Sequence, residues 1–206
     1  AQFDNEAVFS GGRHAQAISQ VVRLCLYFGI PVLFTPLGEA SYNWQVEIFN
    51  DLWADRVWNR HQFSRRRDVP RVQQAFLNWY RADYIAPRQS DTPAQLRQGY
   101  AIRRLPDPWV ESLPERLPIC AGLIHAVRRV SETGSISFLN LSVRVGQRYA
   151  GRYVWLTLDT AQQRLTVWYQ PRAAAEWHQL KELAFPLKEP VLPVPKQFAR
   201  WRGAAE

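Results

Sequence analysis

The sequence predicts an α/β domain followed by an all-β domain, and three observations carry that reading. Over residues 1–97, short apolar runs alternate with stretches whose apolar residues recur at helical spacing. Residues 98–118 bring Pro106, Pro108, Pro114 and Pro118 among mixed charges, the composition of a stiff linker. From residue 119 to 188 the period falls to two, and about five short strands succeed one another, the pattern of a small β-barrel.

Each element has its own signal. Phe3 to Phe9 reads as a strand end entering a loop, with Gly11-Gly12 as a breaker. Ile18, Val21, Val22, Leu24, Cys25 and Phe28 predict a helix over 15–28 that Gly29 terminates. Pro31 to Thr35 is a short buried strand closed by Pro36, and a right-handed crossover lays it parallel to the Phe3 strand. A second helix runs from about Asn43 to about Trp58 on the broad apolar face of Val46, Ile48, Phe49, Leu52, Trp53 and Val57. Arg65 to Asp68 marks a turn. Pro70 suits the first turn of a third helix, continued through Val72, Ala75, Phe76, Trp79 and Tyr80; Pro87 and Pro93 close the domain. In the second half, residues 153–159 and 164–169 alternate about a turn at 160–163 and read as a hairpin, with further strands at 122–130, 135–140 and 180–185. Residues 189–206 form a Pro-containing tail.

At 47% hydrophobic and 21% charged, the composition is that of a globular chain. The chain contains no methionine, which reads as an internal piece of a longer protein. Its longest apolar stretch, Leu24 to Phe34, is interrupted by Gly29 and Pro31 and falls short of a membrane span. Cys25 and Cys120 lie far apart in apolar surroundings, so a reducing cytoplasm is expected rather than a disulfide framework. His14, His61, His125 and His178 are scattered, and no Cys-x-x-Cys accompanies them, which argues against zinc. The net charge of +8 is uneven: residues 1–97 hold 11 Lys/Arg against 9 Asp/Glu, whereas residues 98–206 hold 15 against 9. A basic C-terminal half favours a polyanion such as nucleic acid.

Two carboxylates stand where chemistry can use them. Asp4 ends a short apolar strand, and Glu47 falls in the first turn of a helix with Asn43 and Asn50 on the same side. Phosphodiester chemistry uses carboxylate-held divalent metal to activate an attacking oxygen, and hard Mg²⁺ or Mn²⁺ takes oxygen ligands. By spacing alone, the same residues serve as a dipole-favoured helix start and a strand-end turn.

The motifs around them carry a resemblance. Gln2-Phe3-Asp4-Asn5 with Phe9, Phe28-Gly29-Ile30 followed by Phe34-Thr35-Pro36, Asn43 with Val46-Glu47 and Phe49-Asn50, and Asp91-Thr92-Pro93-Ala94 follow one another in order. Together they resemble the second half of a DDE integrase core, retroviral-integrase-like and found in bacterial insertion-sequence transposases. The resemblance covers roughly residues 1–97. It implies a partial RNase H-like core followed by an SH3-like β-barrel, with Asp4 and Glu47 as catalytic metal ligands for Mg²⁺ or Mn²⁺. Asn5, Asn43 and Asn50 would support them. It also implies DNA as partner, homo-oligomeric assembly and a bacterial cytoplasmic, nucleoid-associated setting. The family's first aspartate would lie upstream of residue 1, so the chain alone is expected to be inactive. Glu6 and Trp44 occupy positions where the family often has glycine, and Ala40 one where proline is common. The rival expectation is a non-catalytic DNA-binding or protein-interaction remnant of such an enzyme.

Three further groups are candidates. Arg128, Arg129, Arg144, Arg148 and Arg152 form a basic set in the barrel, with the last three in an inter-strand loop, suited to phosphate contacts that position without reading sequence. Arg65-Arg66-Arg67 reads first as a solvated interhelical turn, with DNA contact as the alternative. Trp53, Trp58, Trp79 and Tyr80 keep helical spacing and read first as core. Trp155 and Trp168 lie on the face opposite Val154, Leu156 and Val167, and one of those faces must be outside.

Overall fold

The computed structural model describes residues 1–5, 14–39, 42, 44–87, 89–101, 104, 105, 107, 108, 111, 113, 114 and 117–188. Two compact units emerge, one from residues 1–42 and 105–206 and the other from 43–104. The segments read from the sequence are 1–97, 98–118, 119–188 and the tail 189–206, the last of which lies outside the described residues. Each unit is taken by itself.

The first unit is a mixed α/β structure built on a six-stranded sheet. Its N-terminal part is β1 (Gln2–Phe3), α1 (Gln20–Tyr27) and β2 (Val32–Phe34). α1 is shorter than expected because Gln16 takes a positive φ of 60° and Ser19 is extended. The Ser19 hydroxyl accepts the Val22 amide at 3.1 Å, capping the helix. Gly29, at φ 66°, reverses the chain at its end, and the Ile30 amide returns to the Cys25 carbonyl at 2.8 Å. The remaining strands are β3 (Leu123–Arg129), β4 (Ser135–Phe138), β5 (Leu141–Arg144), β6 (Tyr153–Asp159), β7 (Arg164–Tyr169) and β8 (His178–Ala184). The order across the large sheet is β1-β2-β3-β6-β7-β8, parallel from β1 to β3 and antiparallel from there on.

The expected β-barrel is therefore not closed. β3 offers one edge to β6 and the other to β2, pairing Val32 with Ile124 and Phe34 with Ala126. That second edge is unavailable for closure, and the four antiparallel strands extend an open sheet. β4 and β5 pair only with each other, and Arg144, expected in a loop, ends β5. The hairpin at 153–169 forms as expected.

Alternation decides the core. Ile124 and Ala126, Val154, Leu156 and Leu158, and Leu165 and Val167 are buried with Val22 and Leu26 of α1 and Ile136, Phe138 and Val143 of the β4–β5 ribbon. Trp155 and Trp168, cross-strand partners, stay half-buried on the opposite face. The face of Trp155 and Trp168 is thus the outer one.

The second unit is helical. α2 (Trp44–Trp53) continues into a π-helical turn, Ala54–Trp58, and is followed by α3 (Val69–Ala82) and α4 (Pro93–Gln98). Pro93 starts a helix rather than closing a domain: Thr92 caps it, accepting the Gln95 amide while Gln95 Oε1 accepts the Thr92 amide at 2.8 Å. Phe76 is the buried centre of a ring cluster that includes Phe49, Trp79 and Tyr80. No helix among the described residues is long and apolar enough to cross a membrane.

Candidate functional site

The carboxyl ends of β1, β2 and β3 meet at one edge of the first unit, since those strands are parallel. Asp4 and Asn5 follow β1 directly and are half-buried. The Thr35 amide, just beyond β2, donates to the Phe3 carbonyl at 3.0 Å. Asn5 Nδ2 donates to the Thr35 carbonyl at 2.7 Å. Carboxyl ends of parallel strands are where open α/β sheets place ligands.

Arg128 fastens this place. It shares the inward face of β3 with Ile124 and Ala126 and is only 5% exposed. Its Nη2 donates to Asn5 Oδ1 at 2.6 Å, its Nη1 to the carbonyls of Thr35 and Val127, both at 2.8 Å, and its Nε to the Ser137 carbonyl at 3.0 Å. Burial lowers its pKa to about 10, so the guanidinium stays charged at neutral pH. Among the described residues it has no carboxylate partner; backbone dipoles and an amide oxygen hold the charge. Arg128 is therefore not placed for an incoming phosphate, and its sequence neighbour Arg129, one step along the strand, is exposed.

The other basic residues lie on loops or strand ends of the same unit and are exposed. The Arg129 Nε reaches the Gly151 carbonyl at 3.4 Å. The Arg148 guanidinium lies 4.8 Å from the Tyr149 ring, and the Lys181 Nζ donates to the Arg144 carbonyl at 3.0 Å. Backbone bonds between Val130 and both Gly151 and Arg152 tie the loop bearing Arg148 and Arg152 to the end of β3. Gly134 permits this closeness: at φ 77°, an added Cβ would stand 2.5 Å from the Gln147 nitrogen.

Glu47 is exposed in the first turn of α2 and Asn50 is exposed on the same helix, both in the second unit. Asn43 lies outside the described residues. Asp4 and Glu47 thus belong to different units, and no group of three or more His, Cys, Asp or Glu side chains gathers among the described residues.

The outer face carries one polar group that the sequence reading did not single out. The Trp155 Nε1 donates to Thr157 Oγ1 at 3.1 Å, and His125 Nδ1 meets the same oxygen at 3.1 Å. The His125 ring centre lies 5.3 Å from that of Trp155, and burial pushes His125 below its ordinary pKa. Strand alternation was the available signal, since His125 is two residues before Val127, the cross-strand partner of Trp155. In comparisons with known proteins, no family model matches the chain and no curated protein matches it.

Proposed function

We propose that the chain serves a DNA transposase of the DDE integrase type, supplying Asp4 and Glu47 as two metal-binding carboxylates and an arginine-bearing β-sheet that holds DNA. The observation that carries this reading is the strand-end position of Asp4-Asn5 in a parallel β1–α1–β2 unit. There Asn5 is locked by Thr35 and Arg128 while Asp4 follows the strand. An RNase H-like core would present its carboxylates from such an end. Arg129, Arg144, Arg148 and Arg152 are exposed, which suits phosphate contacts. Such an enzyme would act on DNA as a homo-oligomer in the bacterial cytoplasm.

Mg²⁺ or Mn²⁺, when bound, supplies Lewis-acid polarisation of the phosphodiester and activates the attacking oxygen. The donor chemistry suits these ions: Asp4 is offered from a strand end of the first unit and Glu47 from the first turn of α2 in the second. The exposed arginines of the sheet unit also support a second reading, a DNA-binding module without catalysis.

Manganese titration followed by the EPR signal of the free ion separates the two readings. The transposase reading expects binding that weakens at least about tenfold in both Asp4→Asn and Glu47→Gln, an effect of about 1.4 kcal/mol each. Binding indifferent to both substitutions would overturn it. In parallel, duplex DNA affinity should fall with salt, and an Arg144→Ala, Arg148→Ala double variant should flatten the log–log slope by about 1.8. The DNA-binding module predicts the salt effect without the manganese effect.

A further inference from the structure

The turn between α2 and α3 carries more charge and more exposed ring surface than a connection requires. Between residues 55 and 71 stand six arginines, Arg56, Arg60, Arg65, Arg66, Arg67 and Arg71, against Asp55 and Asp68. Asp68 Oδ2 accepts the Arg65 backbone amide at 3.2 Å. The Arg56 guanidinium sits 3.7 Å from the centre of the Trp79 ring. Among the described residues the other five form no ion pair.

The π-helical turn sets the rings. In an α-helix, residues five apart point roughly 140° away from each other. The wider turn at Ala54–Trp58, closed by the Asn59 amide on the Ala54 carbonyl at 2.8 Å, brings Trp53 and Trp58 into a stack. Their ring centres are 6.0 Å apart at 22°. The ladder continues from Trp58 to Phe63 at 5.8 Å and from Phe63 to His61 at 5.9 Å. Val57 is fully buried while Trp58 is 57% exposed, so the turn anchors itself with one residue and presents the next. Trp58, Phe63, Arg65, Arg66, Val69 and Pro70 line a cleft of about 520 Å³. π-turns of this kind recur at functional sites.

We propose that this cleft binds single-stranded DNA, with an unpaired base stacked on Trp58 and neighbouring phosphates held by Arg65 and Arg66. The proposal rests on the DNA reading above and deepens it by assigning a second contact to the helical unit. Charge complementarity names a polyanion, and exposed rings beside guanidiniums name one with flat π-faces. That combination is how unpaired strands are held without sequence preference. A duplex keeps its bases inside its own stack and cannot use the indole face. Ser64 is the one neutral polar side chain of the lining, so discrimination between bases is not expected.

The test uses the full chain and a fluorescein-labelled twelve-residue oligothymidylate, followed by anisotropy at several salt concentrations. Trp58→Ala should weaken binding about tenfold or more, and Trp58→Phe should restore part of the loss. Arg65→Ala with Arg66→Ala should flatten the log–log salt slope by about 1.4. Duplex binding should not respond to Trp58→Ala, and thermal melts of all variants should match the parent. Oligothymidylate binding indifferent to these substitutions overturns the proposal, as does displacement by polyglutamate or tighter binding of oligouridylate. Duplex binding without oligothymidylate binding overturns this proposal and leaves the DNA reading standing. Absence of both overturns the two together.

Discussion

The two units solve the problem of burial differently. In the first, Val22, Val32, Ile124, Leu156, Leu158, Leu165 and Val167 are completely buried between one face of the sheet and the elements that cover it. In the second, only Val57, Phe76 and Thr92 are buried among the described residues, and the helices meet through Phe49, Phe76, Trp79, Tyr80 and Tyr84. Period-two strands covered on one face exclude water from a continuous aliphatic layer. Short helices with wide aromatic faces bury parts of many rings and few whole side chains. Both units expose arginines, Arg129, Arg144, Arg148 and Arg152 in the first and Arg65, Arg66 and Arg67 in the second, but among the described residues only the first buries any, Arg23 and Arg128.

The largest effect expected from this difference concerns excision. The β2–β3 pairing and the bonds from Arg128 to Asn5 and Thr35 join residues 1–42 to the later strands. Residues 119–188 alone should therefore lose a sharp thermal melt, whereas replacing 43–104 by a flexible linker should keep one. A cooperative, reversible melt of the isolated 119–188 segment, the behaviour expected of an independent barrel, would break the comparison.

Arg128→Met comes next. It keeps much of the side-chain volume and removes donors from the Thr35, Val127 and Ser137 carbonyls and from Asn5. Losing four bonds from a buried charged donor should cost about 3 kcal/mol or more, measured by urea unfolding of the full chain. A change under about 1 kcal/mol would mean that the tie does not bear on stability.

Thr92→Ala probes the second unit and should cost about 1 kcal/mol, because the N-cap of α4 loses its hydroxyl acceptor. If the units unfold separately, calorimetry should place this loss in the transition of residues 43–104 and leave the other transition unmoved.

The smallest effect is one of pH. Burial lowers the His125 pKa in the folded protein, so below about 6.5 the unfolded chain binds the proton more readily. The stability contribution of neutral His125 is complete above the unfolded value and is lost as pH falls through the folded one. The His125 ring signal in NMR should titrate with a midpoint below 6.5, and His125→Asn should remove part of the acid limb of stability. A midpoint at or above 6.5 would show that the outer-face cluster does not desolvate the ring.

Period-two spacing by itself placed the hairpin of β6 and β7, the division of Leu156 and Val167 from Trp155 and Trp168 onto opposite faces, and the run of strands after residue 119; which of those faces is buried came from the structure. The helical stripe placed α2 and α3, and Gly29 marked the end of α1. These are local signals, set by backbone geometry and by the face each element must bury. Alternation also separates Arg128 from Arg129, although the clustering of basic residues drew them together as one DNA-facing set. Only the tertiary structure decided that β3 pairs with β2 instead of closing a barrel, because strand pairing across about ninety residues leaves no local trace. It also decided which arginine is an interior tie and that Asp4 and Glu47 fall in different units. The stacking of Trp53 on Trp58 was likewise outside the reach of α-helical spacing, since a π-turn changes the angle on which that spacing depends.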